Sequence, residues 1–206
     1  LDYLDESGLA ENTLVLYMGD NGFHLGEHGF YDKRDAYETS IRVPMLARAP
    51  GEIQAGSVVE GMVQNIDVAS TIMEAFGVSL PTNLPKPRRM DGQSFMPLLK
   101  GQEVRWRDHL LYEYHWEWNF PATPTLFAIR TDRFKYVYHH GVWDIDAFYD
   151  LQTDPIERHN LIGVPAYQEQ IIQLREQLFE ELKESGALEV PFRTPAGDRL
   201  DQRKLK

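Results

Sequence analysis

The sequence predicts an α/β fold: part of an α/β domain, followed by a small α+β subdomain in which an antiparallel sheet packs against one long helix. Three observations predict it. Residues 13–18 are almost continuously apolar, the pattern of a strand buried on both faces of a sheet, and the run closes on Gly19-Asp20-Asn21-Gly22. From about His109 the strand-like segments become short, aromatic and regularly spaced. Ile171, Leu174, Leu178 and Leu182 then recur at three- and four-residue intervals, which is one apolar stripe of a helix.

The elements follow in order. Asn12 and Gly19 punctuate the first strand, and Leu1 to Ser7 reads as the end of a helix already under way. Residues 19–35 hold four glycines and form a long loop. A second strand is expected over 41–47, stopped by Pro50-Gly51. Residues 67–76 predict a short helix with Asp67 as N-cap, Val68, Ile72 and Phe76 on one face, and Gly77 at its end. The stretch 80–89 carries three prolines and two arginines and is irregular, a linker or a loop reaching back toward a site. Strands are expected over 110–115, 125–130, 134–139 and 147–151, separated by turns at Asp132-Arg133 and Gly141, giving an antiparallel meander. The long helix covers 167–184, with Pro165 near its start and Gly186 past its end. The expected division is 1–107, 108–190 and a polar tail over 191–206.

Composition narrows the function classes. At 206 residues and 42% hydrophobic content the chain can bury a sizeable core. No run approaches the roughly 20 apolar residues that cross a bilayer, so no membrane span is expected. Absence of cysteine excludes disulfides within the chain. A formal net charge of −11 argues against nucleic acid as a partner.

Chemistry concentrates in residues 19–38, GDNGFHLGEHGFYDKRDAYE. Asp20 and Asn21 set two hard oxygen donors at the carboxyl end of a buried strand, where open α/β sheets gather their sites. Lys33 follows thirteen positions after Asp20, with His24 and His28 between them. Oxygen donors, imidazoles and a cation in one loop point to a metal-assisted site for an anionic substrate. Alone, Asp-Asn-Gly is more often a turn, and a lone lysine is a surface residue.

The ordered series Asp20-Asn21-Gly22, Leu25-Gly26-Glu27-His28-Gly29, Asp32-Lys33-Arg34, Tyr37-Glu38 and Arg42-Val43-Pro44 resembles the sulfatase family of the alkaline phosphatase superfamily. Weaker likeness continues through Asn65-Ile66-Asp67, Asp91-Gly92-Gln93-Ser94, Ile129-Arg130-Thr131 and Tyr149-Asp150-Leu151. The chain is most similar to sulfatases of sulfated glycosaminoglycan sugars. The resemblance implies the carboxyl-terminal part of an alkaline-phosphatase-like α/β domain plus the small α+β subdomain. It implies Asp20 and Asn21 as ligands of a divalent cation, Ca²⁺ first, with Mg²⁺ or Mn²⁺ as alternatives, and Lys33 as the catalytic lysine on the sulfate. It implies a formylglycine nucleophile made from a Cys/Ser-x-Pro-Ser-Arg segment, and an early Asp-Asp that adds metal ligands. This chain contains neither. The amino-terminal portion of the same protein is therefore expected to supply them, and the chain alone is expected to be inactive. A sulfated carbohydrate is the implied substrate, and the resemblance implies a periplasmic, secreted or lysosomal location.

Other residues have two readings each. His24 faces a pocket or bonds the backbone; His28 touches substrate or braces the loop. His115, Trp116 and Trp118 stack on a sugar or fill the sheet's core, with both tryptophans on one face of a strand through Glu117. Arg130 points to core or to cleft, and Glu38 pairs with Arg42 if that segment is helical. The rival functions are a phosphodiesterase or phosphonate monoester hydrolase of the same superfamily, which commonly has Asp-His in place of Asp20-Asn21, and a non-catalytic carbohydrate-binding piece.

Overall fold

The computed structural model describes residues 1–79, 90–117, 119–141 and 145–188. Along them run α1 (Asp2–Glu6), β1 (Val15–Met18), α2 (Glu38–Ile41), β2 (Met45–Arg48), α3 (Asp67–Ala75), α4 (Met96–Leu99), β3 (His109–Tyr114), β4 (Thr125–Thr131), β5 (Phe134–His140), β6 (Ala147–Asp150) and α5 (Gln168–Ser185). Residues 80–89, Trp118 and the tail from Pro191 lie outside the described residues. The chain divides into two units, one of Leu1–Gly22 with Arg42–Leu110 and one of Phe23–Ile41 with Leu111–Lys206. The loop segment expected with the amino-terminal domain thus groups with the later sheet.

In the first unit, β1 and β2 pair antiparallel in the register Val15↔Arg48, Leu16↔Ala47, Tyr17↔Leu46 and Met18↔Met45. The strand expected to be buried on both faces is only half-buried. Tyr17 and Leu46, directly opposite each other, are 62% and 65% exposed, because nothing among the described residues covers that face. The second strand starts later than expected, since residues 38–41 turn into α2 and Pro44, which has no N–H to donate, precedes β2.

Helix α3 inverts its predicted faces. Asp67 is its first residue and not its cap, and it is fully buried with Ser70 and Thr71, whereas Ile72 and Phe76 are exposed. The buried face is polar because every group on it is bonded. The Asp67 carboxylate accepts the N–H groups of Gln64 (2.8 Å) and Gln93 (2.9 Å), and both Nη atoms of Arg107 (2.5 and 2.6 Å). Ser70 Oγ donates to the Gly92 carbonyl, and Thr71 Oγ1 accepts the Phe95 N–H. Gly92 is obligatory, since a Cβ there would stand 1.9 Å from the Ile66 carbonyl oxygen. That contact explains the glycine of Asp91-Gly92-Gln93-Ser94 in packing terms.

The second unit follows the sequence closely. The four strands lie in the order β3-β4-β5-β6, with β4–β5 and β5–β6 antiparallel. Alternation splits β4 between two cores. Phe127 and Ile129, with Tyr136 and Phe148, meet Ile171, Leu174, Leu178 and Leu182 of α5, the four residues that the periodicity selects. Leu126 and Ala128, with Val137, Ala147 and Tyr149, pack on the opposite face against Ala36 and Tyr37. Both faces are covered, so β4 reads as a continuous apolar run. Each leucine buried under α5 contributes roughly 1.5–3 kcal/mol. Helix α5 ends at Gly186, whose φ of 82° is the left-handed conformation glycine adopts without strain.

A cation sits inside the second core. Lys135 of β5 is 0% exposed, and its Nζ meets the Ala36 carbonyl at 2.6 Å, Glu38 Oε1 at 3.1 Å and Glu157 Oε1 at 2.5 Å. Removing one member of such a cluster leaves an uncompensated buried charge. Lys135→Met should destabilise the protein by about 3–5 kcal/mol, and Lys135→Met with Glu157→Gln by less. Denaturant unfolding of both variants checks this; equal losses would show that Glu157 does not balance Lys135.

Candidate functional site

Strand β1 delivers Asp20 and Asn21. The Gly19 N–H donates to the Pro44 carbonyl (3.2 Å), carrying the pairing one residue past the strand. The chain then turns tightly. The Asn21 N–H donates to Asp20 Oδ1 (2.9 Å), Asn21 Nδ2 donates to the Gly22 carbonyl (2.7 Å), and Asn65 Nδ2 holds the Asp20 carbonyl (2.5 Å). The Asp20 side chain is exposed and that of Asn21 half-buried. A carboxylate and an amide oxygen are hard donors that fit Ca²⁺, Mg²⁺ or Mn²⁺, but Ca²⁺ takes about six to eight oxygens. Among the described residues no group of three or more His, Cys, Asp or Glu side chains is placed to hold a metal. The pair fits a hard cation as part of its shell.

Lys33 belongs to the second unit, where residues 23–41 fold back on themselves. Its own N–H donates to Asp32 Oδ1 (2.8 Å), and its carbonyl accepts the Ser40 hydroxyl (2.5 Å). Its side chain is half-buried. Arg34 pairs with Asp32 and with Glu117 Oε1 (3.2 Å), and its guanidinium lies 3.2 Å from the centre of the Phe120 ring. His24 is fully buried, so of its two readings the pocket-facing one does not describe this chain. Its Nε2 is 2.8 Å from Asp35 Oδ2, its Nδ1 is 3.0 Å from Thr39 Oγ1, and its N–H donates to the Asp32 carbonyl (2.8 Å). His28 stacks on Tyr37 with ring centres 3.9 Å apart, is exposed, and has a φ of 54°. Partial burial, then the neighbouring His24, hold its imidazole below the ordinary 6.5. A positive φ outside glycine is a strained backbone held by its surroundings, here the stacked ring and the turn between Gly26 and Gly29.

Comparison with known proteins decides what this arrangement belongs to. Residues 26–184 match the family described as N-sulphoglucosamine sulphohydrolase, C-terminal. The chain belongs to the sulfatase family. Along 97% of its length it is 33% identical, over 208 residues, to the N-acetylglucosamine-6-O-sulfatase of Bacteroides thetaiotaomicron, of which it covers 36%. It is similar to BT4656 in complex with its substrate D-glucosamine-2-N,6-O-disulfate, with a TM-score of 0.82 and 31% identity, over 94% of this chain and 39% of that one. It is also similar to the phosphonate monoester hydrolase of Agrobacterium radiobacter, with a TM-score of 0.75 and 26% identity, over 89% of this chain and 38% of that one. The sulfatase chain therefore spans a little over a third of the length of these relatives, and it matches the carboxyl-terminal part of the family.

The remaining residues of the sulfatase chain are distributed unevenly. Strand β3 ends at Tyr114, so residues 115–117 are not a strand; Trp118 lies outside the described residues. Half-buried His115 sets its ring edge-on to Phe127, with centres 5.6 Å apart, and its Nε2 lies 3.5 Å from Glu113. Half-buried Trp116 donates its Nε1–H to the Pro121 carbonyl (3.3 Å). Arg130 turns to Glu38, which receives its Nε and Nη2 at 3.3 Å each. Glu38 is thus bonded by Arg130 and Lys135, and the expected pairing with Arg42 gives way to them.

Sequence reasoning missed this Arg130–Glu38–Lys135–Glu157 group. Lys135 has a signal, because it falls at an inward position of a strand between Phe134 and Tyr136. Glu157 has none: it arrives by a turn with a φ of 55°, and its Oε2 accepts the Glu38 N–H at 2.6 Å. Burial raises the Glu157 carboxyl above the ordinary glutamate value, with Lys135 pulling the other way. Burial also pushes Glu38 up, but Lys135 and Arg130 together outweigh it and hold Glu38 below 4.5.

A carboxyl whose folded pKa is depressed stabilises above its unfolded value and loses that contribution as pH falls through the folded one. Glu38→Gln should therefore lower the melting temperature at pH 7 and flatten its decline below about pH 4.5, the range where glutamate protonates. Thermal melts of both proteins between pH 7 and 3 test it, and parallel acid slopes would deny Glu38 this role.

Proposed function

We propose that the sulfatase chain forms part of an enzyme that hydrolyses sulfate esters of carbohydrates, with 6-O-sulfated N-acetylglucosamine of glycosaminoglycan-type sugars as the substrate class. The observation that carries the reading is the likeness to an N-acetylglucosamine-6-O-sulfatase along 97% of the chain, through a segment that holds Asp20, Asn21 and Lys33 in order. Asp20 and Asn21 would hold part of the shell of a divalent cation, with Ca²⁺ the best match to a carboxylate and an amide oxygen. When bound, that cation supplies positive charge at the sulfate. Lys33 would set its ammonium against the sulfuryl or leaving oxygen and offset the charge that grows there. A divalent cation together with the Lys33 ammonium would answer the difficulty of an anionic substrate on a chain of net charge −11.

The nucleophile, by family resemblance a formylglycine, would come from outside this chain, which has neither cysteine nor Ser-x-Pro-Ser-Arg. The exposed Tyr17, Leu46 and Phe76 are apolar surface that an amino-terminal portion of the protein would cover. A phosphonate monoester hydrolase of the same scaffold is the second reading, favoured by the likeness to the Agrobacterium radiobacter enzyme and opposed by Asn21, whose amide oxygen suits one hard cation better than an imidazole-rich pair.

The test uses the full-length protein that contains this chain, assayed on N-acetylglucosamine 6-sulfate, a small aryl sulfate and a phosphonate monoester, with metal analysis. Asp20→Ala should abolish turnover and lower metal content. Lys33→Ala should keep the fold and reduce kcat/KM on sulfate esters by about 100-fold or more, the scale of one preorganised transition-state contact. Faster turnover of the phosphonate would favour the second reading, and full metal content in Asp20→Ala would remove it from the ligands.

A further inference from the structure

We infer that His24 is a positioning residue for Lys33: it fixes the main chain from which the lysine projects and does not itself meet the substrate. The inference rests on the reading of Lys33 as the cation that faces the sulfate. His24 bonds on both sides of the lysine. Its backbone N–H holds the carbonyl of Asp32, the residue before Lys33, and its ring, the part a substitution removes, holds the carboxylate of Asp35, two residues after it. The Asp35 carboxylate oxygen faces Nε2 at 2.8 Å, and the Thr39 hydroxyl faces Nδ1 at 3.0 Å, so both ring nitrogens have a partner. Asp32 and Asp35 pass the constraint on. Asp32 Oδ1 accepts the Lys33 N–H, and Asp35 Oδ1 accepts the Tyr37 N–H (2.9 Å). Ser40, 2% exposed, closes the loop by donating to the Lys33 carbonyl. Both polar groups of the Lys33 peptide are thereby held.

No substrate reaches His24. It is 0% exposed, and the rings of His28, Phe30 and Tyr37 each lie with centres 5.9 Å from its own. Bonds to a charged group in so dry a site are strong and directional. The lysine needs such support, because an ammonium on a flexible stem is placed only as well as its backbone is placed. A displacement of about 1 Å at a reacting centre costs on the order of 100-fold in rate.

The experiment measures kcat, KM and melting temperature in the full-length protein on a small aryl sulfate, for His24→Ala, His24→Gln, Ser40→Ala, Lys33→Ala and the double variants with Lys33→Ala. The expected result is a fall in kcat of about 100-fold for His24→Ala and a smaller fall for His24→Gln, which can still reach Asp35. Neither change should lower kcat further once Lys33 is alanine, because a residue that acts through Lys33 has nothing left to act on. Unchanged kcat in folded His24→Ala, or losses that multiply with Lys33→Ala, would overturn the inference. Should the His24 variants fail to fold, Ser40→Ala decides by the same cycle, and multiplied losses there overturn it equally. Wild-type kcat in Lys33→Ala is a different failure: it removes the lysine's own role in the proposed reaction, whereas a large Lys33 effect with an independent His24 effect removes only the positioning.

Discussion

The second unit depends on one buried cation. Lys135 has no water to solvate it, so the structure must supply its partners, and it supplies two carboxylates and a carbonyl. Those partners come from distant parts of the chain. Ala36 and Glu38 lie in the segment of residues 23–41, Glu157 lies in the turn after β6, and Lys135 itself is in β5. One ammonium group thus joins a loop, a strand and a turn that local sequence does not join. An isolated charge in this position would be prohibitively costly, so the three elements must be present together.

The same cluster explains why a loop rich in glycine has a defined course. Ala36 and Tyr37 cover the face of the sheet opposite α5, and Glu38 fastens them through Arg130 and Lys135. The segment that carries Lys33 is therefore one layer of a packed core at its carboxyl-terminal end. At its other end it is a run of turns, with positive φ at Gly26, His28 and Gly29. Packing at one end and tight local bonding around His24 at the other fix the course of the segment between them.

The meander and α5 were legible because their signals are local. Short aromatic segments between turn signals and a four-residue apolar stripe are written in neighbouring residues, and Leu178 and Leu182 are buried where the stripe puts them. The candidate site was legible as a series of residue types, from Asp20 to Lys33, but not as a set of roles. His24 and His28 are alike in sequence, four residues apart in one glycine-rich loop. One is sealed among rings and bonded at both nitrogens, and the other is exposed and strained. Helix α3 misled for a related reason. Its apolar stripe predicts an inward face, yet Asp67, Ser70 and Thr71 turn inward because Arg107, Gly92 and the backbone at Gln64, Gln93 and Phe95 satisfy them.

The sequence by itself determined the fold class, the strands and helix of the second unit, and the family. Each of these rests on periodicity or on ordered residues within one stretch of chain. Only the tertiary structure decided that Arg130 and Glu38 serve each other, that Lys135 is a core residue, and that His24 is buried against Asp35 and Thr39. Those facts turn on which distant groups meet without water between them, and a hydrogen bond spanning 92 residues, as from Arg130 to Glu38, leaves no periodic trace in the chain.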